Sequence, residues 1–247
     1  RKYRPKDFTG LIGQEALVRT LSNAFASGRI AHAFMLTGVR GVGKTTTARI
    51  IARALNCIGP DGKRTSPTID PCGVCDPCRS IAEGRNVDVL ELDAASNNGV
   101  ENVRQLIEGI QYAPVSGRYK VYIIDEVHMM STAAFNALLK TLEEPPPHVI
   151  FILATTEAHR IPATILSRCQ RFDFRRIAIE EIESTLRHIA KREKIAIDDE
   201  ALLLVAKRGD GSLRDAQRSR GRGARAAGGT GTGGVDVSLV SPWGTHQ

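Results

Sequence analysis

The sequence has no run of about 18 apolar residues, so no segment is predicted to span a membrane. Its basic first residues are not followed by an apolar stretch, so no secretory signal peptide is predicted either. Both absences favour a cytoplasmic location. In that compartment the five cysteines are not expected to form a disulfide framework.

An excess of acidic residues is also lacking, because the net charge is +7. The last 31 residues contribute +3 of this charge, from four arginines and one aspartate, which leaves +4 on the other 216 residues. A nucleic-acid partner is therefore compatible with the charge but is not required by it. With 247 residues the chain can form one large domain or two small ones, each with a buried core.

Short apolar runs alternate with helical patterns, which predicts a parallel α/β sheet with flanking helices. The runs are rich in β-branched residues, as expected of strands covered on both faces. The five predicted strands are Ala33–Thr37, Val87–Leu92, Val121–Ile124, Val149–Leu153 and Arg171–Phe174. The four predicted helices are Glu15–Ser27, Thr45–Leu55, Val100–Gln111 and Ser131–Leu142, the last with Ser131 as its N-cap.

Beyond residue 176 the strand patterns stop and helical patterns follow. Ile182, Leu186 and Ile189 share one helical face, a second helix begins with Leu202–Ala206, and Ser212 is a suitable cap for a third. We predict an α/β core over residues 1–175, an incomplete helical lid over 176–216, and a separate tail over 217–247.

The tail is rich in arginine and glycine and has no apolar periodicity, which predicts disorder. An RNA-binding segment is an alternative, disfavoured because no aromatic residue lies between the arginines. Since the composition changes in the middle of a predicted helix, a further hypothesis is that the tail is out of frame relative to the fold.

A glycine-rich loop after the first strand fits the pattern G-x-x-x-x-G-K-[ST] and opens a helix, the context expected of a phosphate-binding loop. The pattern predicts that Lys44 contacts the β- and γ-phosphates and that the Thr45 hydroxyl binds Mg²⁺. No Asn-Lys-x-Asp motif follows, so ATP is favoured over GTP. The predicted nucleotide-binding residues are Gly38, Val39, Arg40, Gly41, Val42, Gly43, Lys44, Thr45 and Thr46.

The third strand ends in two acids. Asp125 is placed to hold Mg²⁺ through water, and Glu126 is placed to polarise an attacking water. A nucleotide kinase would not need this second acid, so the pair favours hydrolysis. His128 follows closely, and we interpret it as structural.

Four cysteines follow the pattern C-x14-C-x2-C-x2-C, which is typical of a tetrahedral zinc site. Pro71, Gly73 and Pro77 are expected to supply its tight turns. Four sulfur ligands leave no open position for water, so the metal would be structural; free or redox-active thiols are the alternative. The predicted ligands are Cys57, Cys72, Cys75 and Cys78, in an insertion of the core at about 57–78.

With these motifs the chain resembles the AAA+ domain of the gamma/tau subunit of the bacterial DNA polymerase III clamp loader. The resemblance covers residues 1 to about 216. Besides the phosphate loop and the four cysteines it is carried by Tyr3-Arg4-Pro5 with Phe8, Gly13-Gln14, Asp93-Ala94-Ala95-Ser96, Tyr112-Ala113-Pro114, Asp125-Glu126-Val127-His128, Leu142-Glu143-Glu144-Pro145-Pro146, Ala154-Thr155-Thr156, Ser167-Arg168-Cys169 and Gly211-Ser212-Leu213-Arg214-Asp215.

The resemblance implies roles that spacing alone does not. Tyr3, Arg4 and Pro5 would form part of the adenine pocket, and Thr156 would sense the γ-phosphate. Arg168 would be an arginine finger that acts on the ATP of a neighbouring subunit. Arg214 would be a second sensor on the lid. These roles are predictions at this stage.

The resemblance also implies a mechanism and partners. ATP binding would close the lid and let several clamp-loader subunits form an arc around primer–template DNA, which opens a sliding clamp; hydrolysis would release clamp and DNA. No polymerase site is implied, so any polymerase label would belong to the holoenzyme.

The chain departs from the family in two places. The helix that carries Arg214 loses its apolar face at Arg218, and the third, oligomerising domain is not in this sequence. The rival functions are a P-loop nucleotide kinase and a non-catalytic scaffold that uses ATP and zinc only for assembly.

Overall fold

The computed structural model describes residues 5, 7–11, 13–97, 99–193, 195, 197–208 and 212. The predictions for Tyr3, Arg4, Arg214 and the tail over 217–247 lie outside these residues, as does the predicted third helix of the lid beyond Ser212.

The described elements alternate between helices and strands up to residue 173. The helices are α1 (Glu15–Ser27), α2 (Lys44–Asn56), α3 (Asp76–Glu83), α4 (Val100–Glu108), α5 (Thr132–Glu143), α6 (Ala163–Leu166), α7 (Ile179–Arg192) and α8 (Asp199–Arg208). The strands are β1 (Ala33–Thr37), β2 (Val89–Asp93), β3 (Lys120–Asp125), β4 (Val149–Thr155) and β5 (Gln170–Asp173). Short 3₁₀ turns lie at Phe8–Gly10, Gly109–Gln111, Val127–Met129 and Ala158–Arg160.

The five strands form one parallel sheet in the order β2-β3-β4-β1-β5, as the alternation of elements predicted. In register, Asp93 pairs with Asp125, and Thr37 pairs with Thr155. Parallel strands place their carboxyl ends at one edge of the sheet, so the loops that follow β1, β3 and β4 meet there. This edge carries the phosphate loop and the two acids.

Helices cover both faces of the central strands because successive residues of a strand point to opposite faces. Phe34 and Leu36 lie in the apolar cluster that includes buried residues of α1, α2 and α3. Met35, which lies between them, belongs to the cluster formed with α4, α5 and α6. The core is therefore a sheet between two helical layers.

The expectation that all five strands are covered on both faces was wrong for β2 and β5. They are the two edge strands, where Leu90 is 40% exposed and Arg171 and Asp173 are exposed. Strand β2 also begins two residues later than predicted, and Val87 before it is 61% exposed. A strand at the edge of a sheet pairs with a neighbour on one side only, so its side chains need not all be covered by helices.

Two further predictions about the helices need correction. Pro77 does not form a tight turn but lies in the first turn of α3, a helix that was not predicted. Proline is tolerated there because the first helical N–H groups have no partner within the helix. The helix predicted to end at Gln111 ends at Glu108 and continues as the 3₁₀ turn.

The predicted N-cap of α5 is confirmed, since Ser131 Oγ accepts the backbone N–H of Ala134 at 3.2 Å. The two lid helices, α7 and α8, bury Ile182, Leu186 and Leu202 against each other. Among the described residues no helix is both long and apolar enough to cross a membrane.

Candidate active site

The phosphate loop runs from the end of β1 to the start of α2. A side chain at Gly38 would bring its Cβ within 2.7 Å of the Phe174 carbonyl oxygen, and φ there is +141°, so glycine is required. Val42 is buried in the apolar cluster beneath the loop, which leaves its backbone for a ligand. Arg40 is exposed, and Pro5 is partly buried.

Lys44 is almost fully buried and folds back on its own loop. Its Nζ donates to the carbonyl oxygens of Gly38 and Val39, at 2.7 and 2.9 Å. Burial lowers the pKa of Lys44, and the negative charges of Glu126 and Asp125 oppose this shift. Phosphate oxygens arriving at the loop would compete with the two carbonyls for the same ammonium group.

Two oxygen donors suited to Mg²⁺ lie side by side at this edge. The Thr45 hydroxyl, in the first turn of α2, donates to Asp125 Oδ2 at 2.6 Å. Asp125 is the last residue of β3, the strand two places from β1 in the sheet. Hydroxyl and carboxylate oxygens are the kinds of ligand that Mg²⁺ prefers.

Glu126 lies next to these donors with an unusual backbone. Its φ of +49° makes it the only described non-glycine residue in the left-handed region. Such strain collects at functional sites, where the surrounding structure enforces it. Its Oε2 accepts the Thr156 hydroxyl at 3.0 Å, so the acid predicted to polarise water contacts the residue predicted to sense phosphate.

Arg168 is not brought to this site. It comes two residues before β5, whose first residue, Gln170, pairs with Phe34 near the start of β1, whereas the phosphate loop follows the end of β1. Its guanidinium donates to Glu143 Oε1 at 2.9 Å and to the Thr164 carbonyl oxygen at 2.7 Å. Arg168 therefore lies towards the amino ends of the strands, whereas Lys44 lies at their carboxyl ends.

The four cysteines of the insertion form one cluster, with their sulfur atoms all within 4.8 Å of one another, and could hold a metal ion. Cys57 directly follows α2, Cys75 caps α3, and Cys78 lies in the first turn of α3. Burial alone would raise the pKa of Cys72, but hydrogen bonds from the backbones of Cys75 and Val74 outweigh it and lower the pKa to about 7.

None of the chain's five cysteines, all of which the structure describes, is in a disulfide. This agrees with the prediction from composition. Backbone N–H groups of Gly59 and Cys72 donate to Cys57 Sγ, at 3.4 and 3.3 Å.

An arginine that the sequence analysis overlooked connects the insertion to the core. Arg118 lies just before β3, and its guanidinium donates to the carbonyl oxygens of Leu55, Cys57, Arg64 and Ser66 at 2.6–3.2 Å. Its positive charge thus meets carbonyl groups at the carboxyl end of α2. No local sequence signal marks this contact, because its partners lie more than 50 residues away.

Two family models match this chain. A family model described as "DNA polymerase III, delta subunit" matches residues 13–178, and one described as "DNA polymerase III clamp loader subunit, ATPase lid domain" matches residues 181–217. The chain belongs to the DNA polymerase III clamp-loader family. This confirms the resemblance seen in the sequence, and the second match falls on the helices predicted to form a lid.

The chain is similar to full-length relatives that carry the names expected from that resemblance. It is 52% identical over 216 residues to DNA polymerase III subunit tau of Salmonella typhimurium, a match that covers 87% of this chain and 33% of the relative. It is 49% identical over 216 residues to subunit tau of Bacillus subtilis, covering 87% and 37%. The chain thus spans about a third of the length of these curated relatives.

Solved structures support the fold independently. The RuvB Holliday junction branch migration motor of Thermotoga maritima superposes with a TM-score of 0.65 at 22% identity, covering 91% of this chain and 66% of that one. At this identity the likeness concerns the fold alone.

Proposed function

We propose that the chain binds and hydrolyses ATP as a motor subunit of a DNA polymerase III clamp loader, in the cytoplasm. The observation that carries the proposal is the meeting of three groups at one sheet edge. These are the phosphate loop with Lys44, the Thr45–Asp125 pair, and Glu126 held by Thr156. Each is a part that phosphoryl transfer to water requires.

The residues act in order along the path of the phosphates. When ATP binds, Lys44 exchanges its hydrogen bonds to the two loop carbonyls for bonds to β- and γ-phosphate oxygens. The ammonium group then pairs with negatively charged oxygens, which it binds more strongly than neutral carbonyls. Thr45 and Asp125 would hold Mg²⁺, which supplies charge neutralisation at the phosphate oxygens. Glu126 accepts a proton from the attacking water. The hydrogen bond from the Thr156 hydroxyl holds the Glu126 carboxylate in the orientation that this step needs.

The remaining positive charge comes from a neighbouring subunit in this proposal. Arg168 lies near the amino ends of the strands, away from the ATP site of its own chain. Arg168 would contact the ATP of a second subunit packed against that surface. Arg214 of the lid, together with Tyr3, Arg4 and Pro5, would complete the nucleotide pocket. The partners would be other clamp-loader subunits, a sliding clamp and primer–template DNA.

The cysteine cluster fits zinc. A tetrahedral ion with Zn–S bonds of about 2.3 Å holds its sulfurs about 3.8 Å apart, which is within the observed 4.8 Å limit. When bound, zinc supplies a cross-link between chain segments. Cys57, Cys72, Cys75 and Cys78 then tie the carboxyl end of α2 to the start of α3, away from the reacting phosphates.

A phosphate-release assay with ATP and Mg²⁺ tests the function, with and without partner clamp-loader subunits and primed DNA. We expect weak turnover by the chain alone, stimulation in the complex, and a fall of about 100-fold or more for Lys44→Ala. Lys191→Ala removes one exposed lysine of α7 and serves as the matched control.

The rivals predict different results. A nucleotide kinase would consume ATP only when an acceptor nucleotide is added, and a scaffold would bind ATP without releasing phosphate. Equal turnover by the wild-type chain and the Lys44→Ala variant would refute the proposal.

A further inference from the structure

His128, which the sequence analysis interpreted as structural, is buried beside the reacting edge of the sheet. It lies on the 3₁₀ turn Val127–Met129, directly after Glu126, and its side chain is 6% exposed. A histidine serving only to fill the core would be surrounded by apolar atoms. This imidazole instead faces polar groups on both of its nitrogen edges.

Each nitrogen of the ring has partners from the end of β4. Nδ1 lies 3.0 Å from Thr155 Oγ1, and Nε2 lies 3.3 Å from Glu157 Oε1. Thr155 Oγ1 also accepts the backbone N–H of Glu157 at 3.0 Å, so the hydroxyl itself is held in place. A hydrogen on Nε2 can be donated to Glu157, and Nδ1 then accepts the Thr155 hydroxyl, so this tautomer holds the ring at both edges.

The same Nδ1 edge lies 3.5 Å from Glu126 Oε2. That oxygen accepts the Thr156 hydroxyl at 3.0 Å from another direction. The Glu126 side chain is 28% exposed, so without these neighbours its carboxylate could turn towards solvent. Thr156 and His128 therefore border the same oxygen, and together they limit how the Glu126 carboxylate can turn.

We propose that His128 is a positioning residue for Glu126: its Nδ1 edge, held by Thr155 and Glu157, keeps the carboxylate in the orientation that polarises the attacking water. The inference rests on the proposed ATP hydrolysis. It assigns His128 no contact with nucleotide, because Lys44 and the phosphate loop form a separate set of contacts.

Two substitutions of similar size separate the two edges of the ring. In His128→Asn the amide occupies roughly the position of Nδ1 and stays beside Glu126 and Thr155. In His128→Gln it reaches towards the position of Nε2 and leaves the Glu126 side open. We expect kcat to fall about 10-fold or more in His128→Gln and less in His128→Asn, with the dissociation constant for ATP unchanged in both.

The measurements are steady-state phosphate release by the full chain in the assembled clamp loader, ATP binding by fluorescence titration, and thermal unfolding. Both variants lose the same ring, so a purely structural role predicts that kcat follows the loss of stability and does not distinguish asparagine from glutamine. His148→Asn is the control, because His148 Nε2 contacts the Ile110 carbonyl oxygen at the opposite end of β4.

Glu157→Ala supplies a second test if the His128 variants fold poorly, since Glu157 is part-exposed and removing its carboxylate frees Nε2. We expect kcat to fall without a change in ATP affinity. If wild-type protein turns over ATP and the His128 and Glu157 variants match it, the positioning role is wrong while ATP hydrolysis stands. If wild-type protein does not hydrolyse ATP, both the function and the inference fail.

Discussion

Asp88 carries a prediction about stability that the structure makes quantitative. It lies just before β2, is fully buried, and accepts four hydrogen bonds from the loop that precedes β3. Oδ1 accepts the Val115 N–H at 2.7 Å, and Oδ2 accepts the N–H groups of Ser116 and Gly117 and the Ser116 hydroxyl at 2.7–3.1 Å. The carboxylate thus holds the loop that leads to Arg118.

Replacing Asp88 by asparagine keeps the shape but removes the charge and one acceptor. An amide oxygen in the Oδ2 position can keep three bonds, while the NH₂ group then faces the Val115 N–H. One lost bond to a charged group costs about 1.5–3 kcal/mol, and the other three become neutral and weaker. We expect Asp88→Asn to be destabilised by about 3 kcal/mol, a fall in melting temperature of about 6–12 °C.

The effect should depend on pH in one direction. Burial alone would raise the pKa of Asp88, but the hydrogen bonds from Val115, Ser116 and Gly117 outweigh it, so the pKa is lowered. A lowered folded-state pKa gives stability that is present above the unfolded pKa of about 3.9 and is lost as the pH falls through the folded value. The difference between wild type and variant should therefore be constant above about pH 5 and shrink in acid.

Thermal and urea unfolding between pH 3.5 and 7.5, followed by circular dichroism, measures both effects. Asp76→Asn is the matched control: its carboxylate pairs with Arg79 at the surface, and its loss should change stability by less than about 0.5 kcal/mol. A difference for Asp88→Asn of under about 1 kcal/mol at pH 7, or one that grows in acid, would refute the reasoning.

Two further predictions concern the cysteine insertion and the proposed sharing of the ATP site between subunits. The Arg118→Lys variant should release zinc to a chelator faster than the wild-type protein, because an ammonium group cannot reach all four carbonyl oxygens. A colorimetric zinc-release assay measures this rate, with Lys63→Arg as a control. Equal rates for Arg118→Lys and wild type would contradict the prediction. If Arg168 acts on a neighbour's ATP, Arg168→Ala and Lys44→Ala proteins should each be nearly inactive alone, and mixing them should restore phosphate release through sites that combine an intact loop with an intact arginine. If the mixture releases phosphate no faster than either protein alone, the result argues against a shared site.

Much of the fold was predictable because its signals are local. Alternation of apolar runs and helical patterns indicated the parallel sheet, and all five strands were predicted within two residues of each end. The α3 helix escaped prediction because it is only eight residues long and its proline and cysteines favoured turns around a metal. The exposed faces of β2 and β5 could not be predicted, since strand order is not written in any single strand.

The site divides in the same way. The phosphate loop and the cysteine spacing are patterns of residues close together in the chain, so the sequence alone was enough to predict a role for Lys44 and a cluster of the four cysteines, which the structure brings together. The neighbours of Glu126 could not be found in this manner. Thr156 lies 30 residues further along the chain, and a hydroxyl at the end of a strand carries no local sign of its partner.

The sequence by itself determined the chemistry available at each short motif, because the phosphate loop and the cysteine turns are shaped by residues close together in the chain. Tertiary structure alone decided which of those motifs meet. The pairing of β3 with β4 brings Glu126 and His128 against Thr155, Thr156 and Glu157, and the place of β5 beside β1 keeps Arg168 away from Lys44. The first outcome follows from strand order and the second from the parallel direction and register of β5, and the packing of the whole core selects both.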